Sequence, residues 1–80
     1  MIDYIYSIKD DVSGKFTLYG NYVNKAVAER DFQIAVNAGR IPPTDYSLYE
    51  SGEYNHDTGN ISGFDSPIFV ARGKKNEVQN

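Results

Sequence analysis

Residues 24–39 read NKAVAERDFQIAVNAG, and this stretch decides the predicted fold. The run from residue 25 to residue 38 contains no Gly or Pro and four Ala, a composition that favours helix. Asn24 is a good N-cap for that helix. Gly39 suits the left-handed backbone position that often ends a helix. The sequence therefore predicts one helix over residues 25–38.

The predicted helix carries one apolar stripe. Ala28, Phe32, Ala35 and Gly39 follow one another at helical spacing, and Val36 widens the stripe. A helix with one apolar side needs a second apolar surface to cover it. Because Phe32 is the largest residue of the stripe, we predict that its ring lies at the centre of a contact between the helix and a sheet.

Two segments before the helix have the alternating pattern of strands. In residues 2–8, Ile2, Tyr4, Tyr6 and Ile8 share one face of an extended chain. Residues 15–19, KFTLY, repeat the alternation with Phe16 and Leu18 on one face. The residues between these segments, DDVSG, are rich in turn formers. A hairpin of two strands is therefore predicted.

Two further strands are predicted after the helix. Residues 46–54, YSLYESGEY, resume strand character, and Gly59 in the following turn is free to take a positive φ. Residues 62–66 contain Ser, Gly and Asp and are predicted to be a loop before Pro67. The short apolar run at 68–71, IFVA, is typical of a strand that is buried on both sides or pinned under a helix.

Together these elements predict a small α+β domain. We expect an antiparallel sheet of three or four strands with one helix packed on a face, because such a two-layer arrangement covers both apolar surfaces. The predicted domain occupies residues 1–72. Residues 73–80, GKKNEVQN, show no periodicity and are predicted to be a flexible tail.

Composition excludes several classes of protein. The 80 residues include no Cys, so disulfides, redox pairs and thiolate metal sites are ruled out. Eight basic against eleven acidic residues leave a net charge of -3, which argues against binding nucleic acid by charge alone. No apolar run approaches the roughly 20 residues that span a bilayer, and the N-terminus does not resemble a secretory signal. We expect a cytoplasmic protein with no membrane contact.

The titratable residues point to no catalytic or metal site. A transition-metal site usually needs three or four convergent ligands, and His56 is the only histidine. His56 is therefore predicted to be a turn residue. Asp10 with Asp11, and Glu50 with Glu53, are the close carboxylate pairs, which we interpret as turn and solvated strand positions. Motifs of hydrolases and nucleotide-binding proteins are absent from the sequence. We expect no enzyme, no cofactor and no metal.

Seven tyrosines are too many for the interior of so small a domain, so some rings should reach the surface. Exposed rings on a sheet can stack bases of single-stranded nucleic acid, and they can also form a protein interface. The acidic net charge favours the protein interface. The residues predicted for nucleic acid are Tyr4, Tyr6 and the basic cluster Arg72, Lys74 and Lys75. The residues predicted for a protein interface are Tyr46, Tyr49 and Tyr54.

Several short motifs occur in a characteristic order along the chain. They are YSIKD at residues 6–10, NKAVA at 24–28 followed by Phe32 and VN at 36–37, DYSLYE at 45–50, GEY at 52–54 and DTG at 57–59. This ordered set, which spans residues 4–72, resembles the small non-structural protein of gokushovirus-type microviruses, icosahedral bacteriophages with circular single-stranded DNA. One departure is the short connection at residues 38–44, AGRIPPT, where the family usually carries a longer and more basic segment.

The resemblance implies a non-capsid protein made in the cytoplasm of an infected bacterium, with a role in viral DNA replication or single-stranded genome synthesis. It leaves two mechanisms open. The first is a replication factor that acts by protein interaction together with weak binding of single-stranded DNA. The second is a scaffold-like interaction module that binds a phage or host protein without nucleic-acid contact. Because chains of about this size gain stability by oligomerising when they lack disulfides and metals, we also expect a homodimer.

Overall fold

The computed structural model describes residues 1–76 and contains four strands and one α-helix in the order ββαββ. The elements are β1 (Ile2–Asp10), β2 (Lys15–Tyr22), α1 (Lys25–Asn37), a short 3-10 helix (Pro43–Asp45), β3 (Tyr46–Asn55) and β4 (Ile61–Arg72). The strands form one antiparallel sheet in the order β2-β1-β3-β4, and α1 packs on one face. The predicted α+β fold is therefore confirmed. None of the helices within residues 1–76 has the length and apolar character required to cross a membrane.

The N-terminus of α1 is built as predicted, whereas its C-terminus is not. The Asn24 side-chain oxygen accepts a hydrogen bond from the Val27 N–H at 3.0 Å, which satisfies one of the free donors of the first turn. At the other end, the Ala38 N–H donates to the Ala35 carbonyl with right-handed backbone angles. Within residues 1–76, positive φ occurs at Gly14 and Gly59, so the prediction for Gly59 is confirmed and the left-handed Gly39 is wrong. The right-handed cap at Ala38 already ends the helix.

Phe32 lies at the centre of the core, as predicted. Its side chain is fully buried, and it shares one apolar cluster with Tyr6 and Leu48 of the sheet. Ala28 and Val36 complete the buried stripe of α1, one turn before and one turn after Phe32. Ala35 was also predicted in the stripe but is exposed, because the contact follows the straight row 28, 32 and 36 and leaves residue 35 to one side.

Strand β4 is much longer than predicted. Residues 62–66 and Pro67 belong to it, because their backbone continues the strand beside β3. Glu50 pairs with Ile68 and Gly52 with Gly63, so the extra residues of β4 form a bulge that contains Pro67. Proline is accepted there because β4 is an edge strand with one paired side. Residues 68–71 were predicted to be buried on both sides or pinned under the helix. Burial on both sides is wrong, because Ile68 and Phe69 are exposed, whereas Val70 packs against the core and Ala71 is buried.

Residues 73–76, the first part of the predicted tail, are hydrogen-bonded to β3 and α1. The Gly73 N–H donates to the Tyr46 carbonyl at 2.8 Å, and the Lys74 N–H donates to the Gln33 side chain at 2.8 Å. The Asn37 side chain makes two more hydrogen bonds to this segment. Its NH₂ group donates to the Lys74 carbonyl, and its oxygen accepts from the Asn76 N–H. The segment therefore runs along α1. The remainder of the predicted tail, residues 77–80, lies outside the described residues.

Candidate functional site

The sheet face opposite α1, which we call the open face, carries a row of aromatic rings. Phe16 of β2 and Tyr49 of β3 meet edge to face, with centroids 5.1 Å apart. Tyr49 meets Phe69 of β4 in the same way at 5.7 Å. We call Phe16, Tyr49 and Phe69 the ring row. Phe16 is 42% and Phe69 57% exposed, so the two outer rings present apolar surface to solvent.

Strand pairing explains how three distant segments supply one row. Phe16 pairs with Lys9 of the central strand β1, and Tyr49 pairs directly with Phe69. The Lys9 ammonium lies 5.5 Å from the Phe16 ring centre and 5.9 Å from the Tyr49 ring centre. These distances are typical of cation–π contacts. The ring row therefore combines flat apolar surface with one positive charge.

The other end of the open face contains an apolar hollow of about 230 Å³. Ile5, Leu18, Gly20, Asn21, Tyr54 and Ile61 line it. Leu18 and Ile61 are 73% and 70% exposed, a large fraction for aliphatic side chains of a folded protein. The hydroxyl groups of Ser7 and Ser51, hydrogen-bonded at 2.8 Å, link β1 and β3 on the same sheet. Because Phe16, Tyr49 and Phe69 do not line the hollow, the hollow and the ring row are two separate surfaces of the open face.

Three polar side chains form a hydrogen-bonded group beside the hollow. The His56 Nε2 atom lies 3.0 Å from Asp3 Oδ2, and the Asn21 side-chain NH₂ donates to the same oxygen at 2.9 Å. The hydrogen bond from His56 is the main cause that holds the pKa of Asp3 below its usual value; burial opposes the shift, and the Asn21 hydrogen bond supports it. The His56 ring also packs edge to face on Tyr54, at 5.0 Å. The predicted turn histidine therefore contacts both Asp3 and Tyr54.

The two tyrosines predicted to stack bases lie on the wrong face for that role. Tyr6 is 1% exposed and belongs to the core under α1, and Tyr4 is half-buried against the same cluster. Burial is the main cause that raises the pKa of Tyr6 to about 12, with a smaller contribution from the Glu50 charge. The prediction that Tyr6 reaches a nucleic acid is wrong, because its ring is inaccessible. The alternation of β1 correctly indicated that Tyr4 and Tyr6 share a face. It did not indicate that this is the face that α1 covers.

The backbone of the predicted basic cluster is hydrogen-bonded to α1, through Arg72 and Lys74 to Gln33. Arg72 donates through Nε to the Thr44 carbonyl at 2.9 Å, and its own carbonyl accepts from Gln33. Lys74 and Lys75 are exposed on the segment that runs along α1. The cation–ring contacts found within residues 1–76 involve Lys9 and none of these three residues.

The three tyrosines predicted for a protein interface divide between the two faces. Tyr49 belongs to the ring row and Tyr54 to the hollow, whereas Tyr46 packs against the core on the side of α1. Tyr46 also lines a groove of about 550 Å³ at the C-terminal end of the helix. The other residues of this groove are Ile8, Ala35, Val36, Gly39, Arg40 and Ile41. Ile41 is 48% exposed there.

Sequence reasoning missed Lys9, Phe16 and Phe69 as members of one site. The alternation of residues 15–19 does indicate that Phe16 and Leu18 share a face, but only the register of the sheet shows which other residues join them. Within residues 1–76, no group of three His, Asp or Glu side chains is arranged to hold a metal ion. The open face therefore offers stacking, apolar contact and hydrogen bonding.

Comparison with known proteins identifies a family. Residues 3–76 match the family model described as Phage ORF5 protein. No curated protein and no solved structure gives a match. The family model covers both hairpins and the helix, and it supports the phage origin that the order of the sequence motifs implies.

Proposed function

The chain belongs to the Phage ORF5 protein family, and from this membership together with the ring row we propose that it acts in viral DNA replication by binding single-stranded DNA weakly. The resemblance to gokushovirus-type microviruses narrows the proposal to phages that package a single-stranded genome. The proposed place of action is the cytoplasm of the infected bacterium. We propose a binding role without catalysis, because no acid, base and nucleophile set is assigned.

The ring row is the observation that carries this proposal. Bases of a single strand expose their flat faces, and stacking on a protein ring contributes about 1–3 kcal/mol per base. Phe16 and Phe69 offer exposed ring surface at the two ends of the row, and Lys9 adds a cation within reach of a phosphate. Four-stranded sheets with rings on an open face are a recurrent way to bind single strands. Double-stranded DNA hides its base faces and should bind more weakly.

Charge sets the strength that we propose. With a net charge of -3, the chain lacks the extended basic surface of a tight nucleic-acid binder. Each phosphate contact on a single strand contributes a slope of about 0.7 in log affinity against log salt. Lys9 is the cation in contact with the ring row. Arg72 donates through Nε to the Thr44 carbonyl, and the backbone of Lys74 is hydrogen-bonded to Gln33 of α1. We therefore expect the log affinity to fall only slowly with log salt, with the slope of about one phosphate contact.

Fluorescence anisotropy of a labelled single-stranded oligonucleotide tests the proposal. Phe69→Ala should weaken binding at least fivefold, the low end of the stacking range. Ile68→Ala is the matched control, because Ile68 is the neighbouring residue of β4 and is equally exposed at 53% against 57%. Lys9→Gln should weaken binding and flatten the salt dependence. Equal losses in Phe69→Ala and Ile68→Ala would refute a stacking role for the ring row.

The groove beside α1 favours a second candidate function, an interaction module. Its apolar lining includes Ile41 and Tyr46, and an exposed apolar groove on a small domain is a common place for a protein to bind. The partner proposed here is a second copy of the chain, as the size of the domain predicts. Analytical ultracentrifugation tests whether the chain forms this dimer. Ile41→Asp should dissociate the dimer. Val12→Asp is the control and should leave the dimer intact, because Val12 is a turn residue that is 78% exposed. A wild-type monomer at high micromolar concentration would refute this candidate.

A further inference from the structure

We propose that the hollow on the open face holds one base of the bound strand and that Asn21 selects a base with an exocyclic amino group. This inference rests on the proposed function, because it concerns the surface next to the ring row. It adds a chemical preference to a face that would otherwise bind any sequence. The argument depends on the orientation of one side-chain amide.

Asp3 determines which way the Asn21 amide faces. An ionised carboxylate can only accept hydrogen bonds, so the atom of Asn21 that lies 2.9 Å from Asp3 Oδ2 must be the NH₂ nitrogen. The carbonyl oxygen Oδ1 of Asn21 therefore points to the other side of the amide. His56 lies 3.0 Å from the same carboxylate and stabilises its ionised form. Because Asn21 also lines the hollow, the inference places this acceptor oxygen at the edge of the hollow.

The hollow suits a nucleobase in position and in character. Leu18, on its wall, lies two residues along β2 from Phe16 of the ring row, a separation of about 7 Å. A strand stacked on Phe16 can therefore continue into the hollow. Ile5 and Ile61 provide apolar surface for the flat face of a base, while Asn21 meets its polar edge. This combination of apolar walls and few polar groups is typical of small-molecule sites.

The edge of the base decides whether the contact is favourable. Cytosine carries an N4 amino group and adenine an N6 amino group, which donate hydrogen bonds, whereas thymine presents an O4 acceptor at the equivalent place. Uracil has the same O4 acceptor. An amino group can donate to Asn21 Oδ1, but a base oxygen placed there would face another acceptor without a shared proton. A single hydrogen bond of this kind should give about a 3- to 10-fold preference.

Anisotropy titrations with oligo-dC and oligo-dU of equal length at pH 7.5 test the inference. The two bases have nearly the same size and differ at the edge that Asn21 would contact. We expect oligo-dC to bind about 3- to 10-fold more tightly. Asn21→Leu should abolish this ratio while leaving the affinity for oligo-dU nearly unchanged. Phe69→Ala should weaken both oligonucleotides and preserve the ratio.

The outcomes separate the inference from the proposed function. Equal wild-type affinities, or tighter binding of oligo-dU, would overturn base selection and leave single-stranded DNA binding intact. Absence of binding to either oligonucleotide would overturn both. Asp3→Asn provides an independent variant: it replaces the carboxylate that orients the Asn21 amide, so the ratio should fall although Asn21 remains. A ratio unchanged in both Asn21→Leu and Asp3→Asn would show that another group makes the selection.

Discussion

Replacing Phe32 by Ala should remove most of the stability of the domain. The ring is fully buried between α1 and the sheet, in one apolar cluster with Tyr6 and Leu48. Truncation of a buried Phe typically costs about 3–5 kcal/mol, a sum of lost apolar transfer and of the cavity left behind. For 80 residues the entropy of unfolding is about 0.17 kcal/mol per degree, so 1 kcal/mol corresponds to about 6 °C. The expected fall in melting temperature is therefore about 18–30 °C.

Thermal unfolding followed by far-ultraviolet circular dichroism measures this fall. Ile34→Ala is the control, because Ile34 belongs to the same helix but is 63% exposed. That variant should melt close to the parent, since surface substitutions usually change stability by less than about 0.5 kcal/mol. Phe32→Leu keeps part of the apolar volume and should fall between the two if Phe32→Ala does not fold. A Phe32→Ala protein that melts within a few degrees of the parent would contradict the assigned core.

Three further predictions concern stability. Gly52→Ala should destabilise the protein by about 1–3 kcal/mol in urea unfolding, because the added methyl group would overlap a β4 carbonyl, whereas Gly63→Ala, which opens on free space, should be nearly neutral. Burial raises the pKa of Tyr6 to about 12, so the contribution of Tyr6 to the free energy of unfolding should be fully present below about pH 10 and decline as the pH rises from 10 towards 12. Tyr6→Phe should reduce this decline in stability. An unchanged pH profile of that variant would contradict the raised pKa of Tyr6. The pKa of Asp3 is lowered by His56, so its stabilising effect should be present above about pH 4 and be lost as the pH falls through the folded value; Asp3→Asn should show a weaker acid dependence in the same assay.

Local patterns were sufficient to predict the helix and most of the strands. The cap at Asn24, the absence of Gly and Pro up to residue 38 and the position of Phe32 all act within a few turns of α1. Strand β4 was predicted too short because residues 62–67 contain Ser, Gly, Asp and Pro, which favour loops in isolation. Pairing with β3 overrides that preference. Such pairing depends on a neighbouring strand and is not encoded in the segment itself.

The candidate site was only partly predictable, because alternation defines two faces without saying which one the helix will cover. Tyr6 and Tyr49 are both aromatic strand residues, yet Tyr6 lies in the core and Tyr49 on the open face. Phe69 was interpreted as buried because it belongs to a continuous apolar run. Its exposure follows from its place on the open face, on the side of the sheet away from α1, which the segment itself does not determine.

The sheet order also determines when the ring row comes into existence during folding. Strands β1 and β2 form one local hairpin, β3 and β4 form another, and the pairing of β1 with β3 joins them. Contacts between residues far apart in sequence form more slowly than local hairpins, because a long loop must close first. Phe16 comes from the first hairpin, and Tyr49 and Phe69 come from the second. In a nascent or fragmented chain Phe16 would thus be separate from the Tyr49–Phe69 pair, and the complete ring row would form only when the two hairpins join.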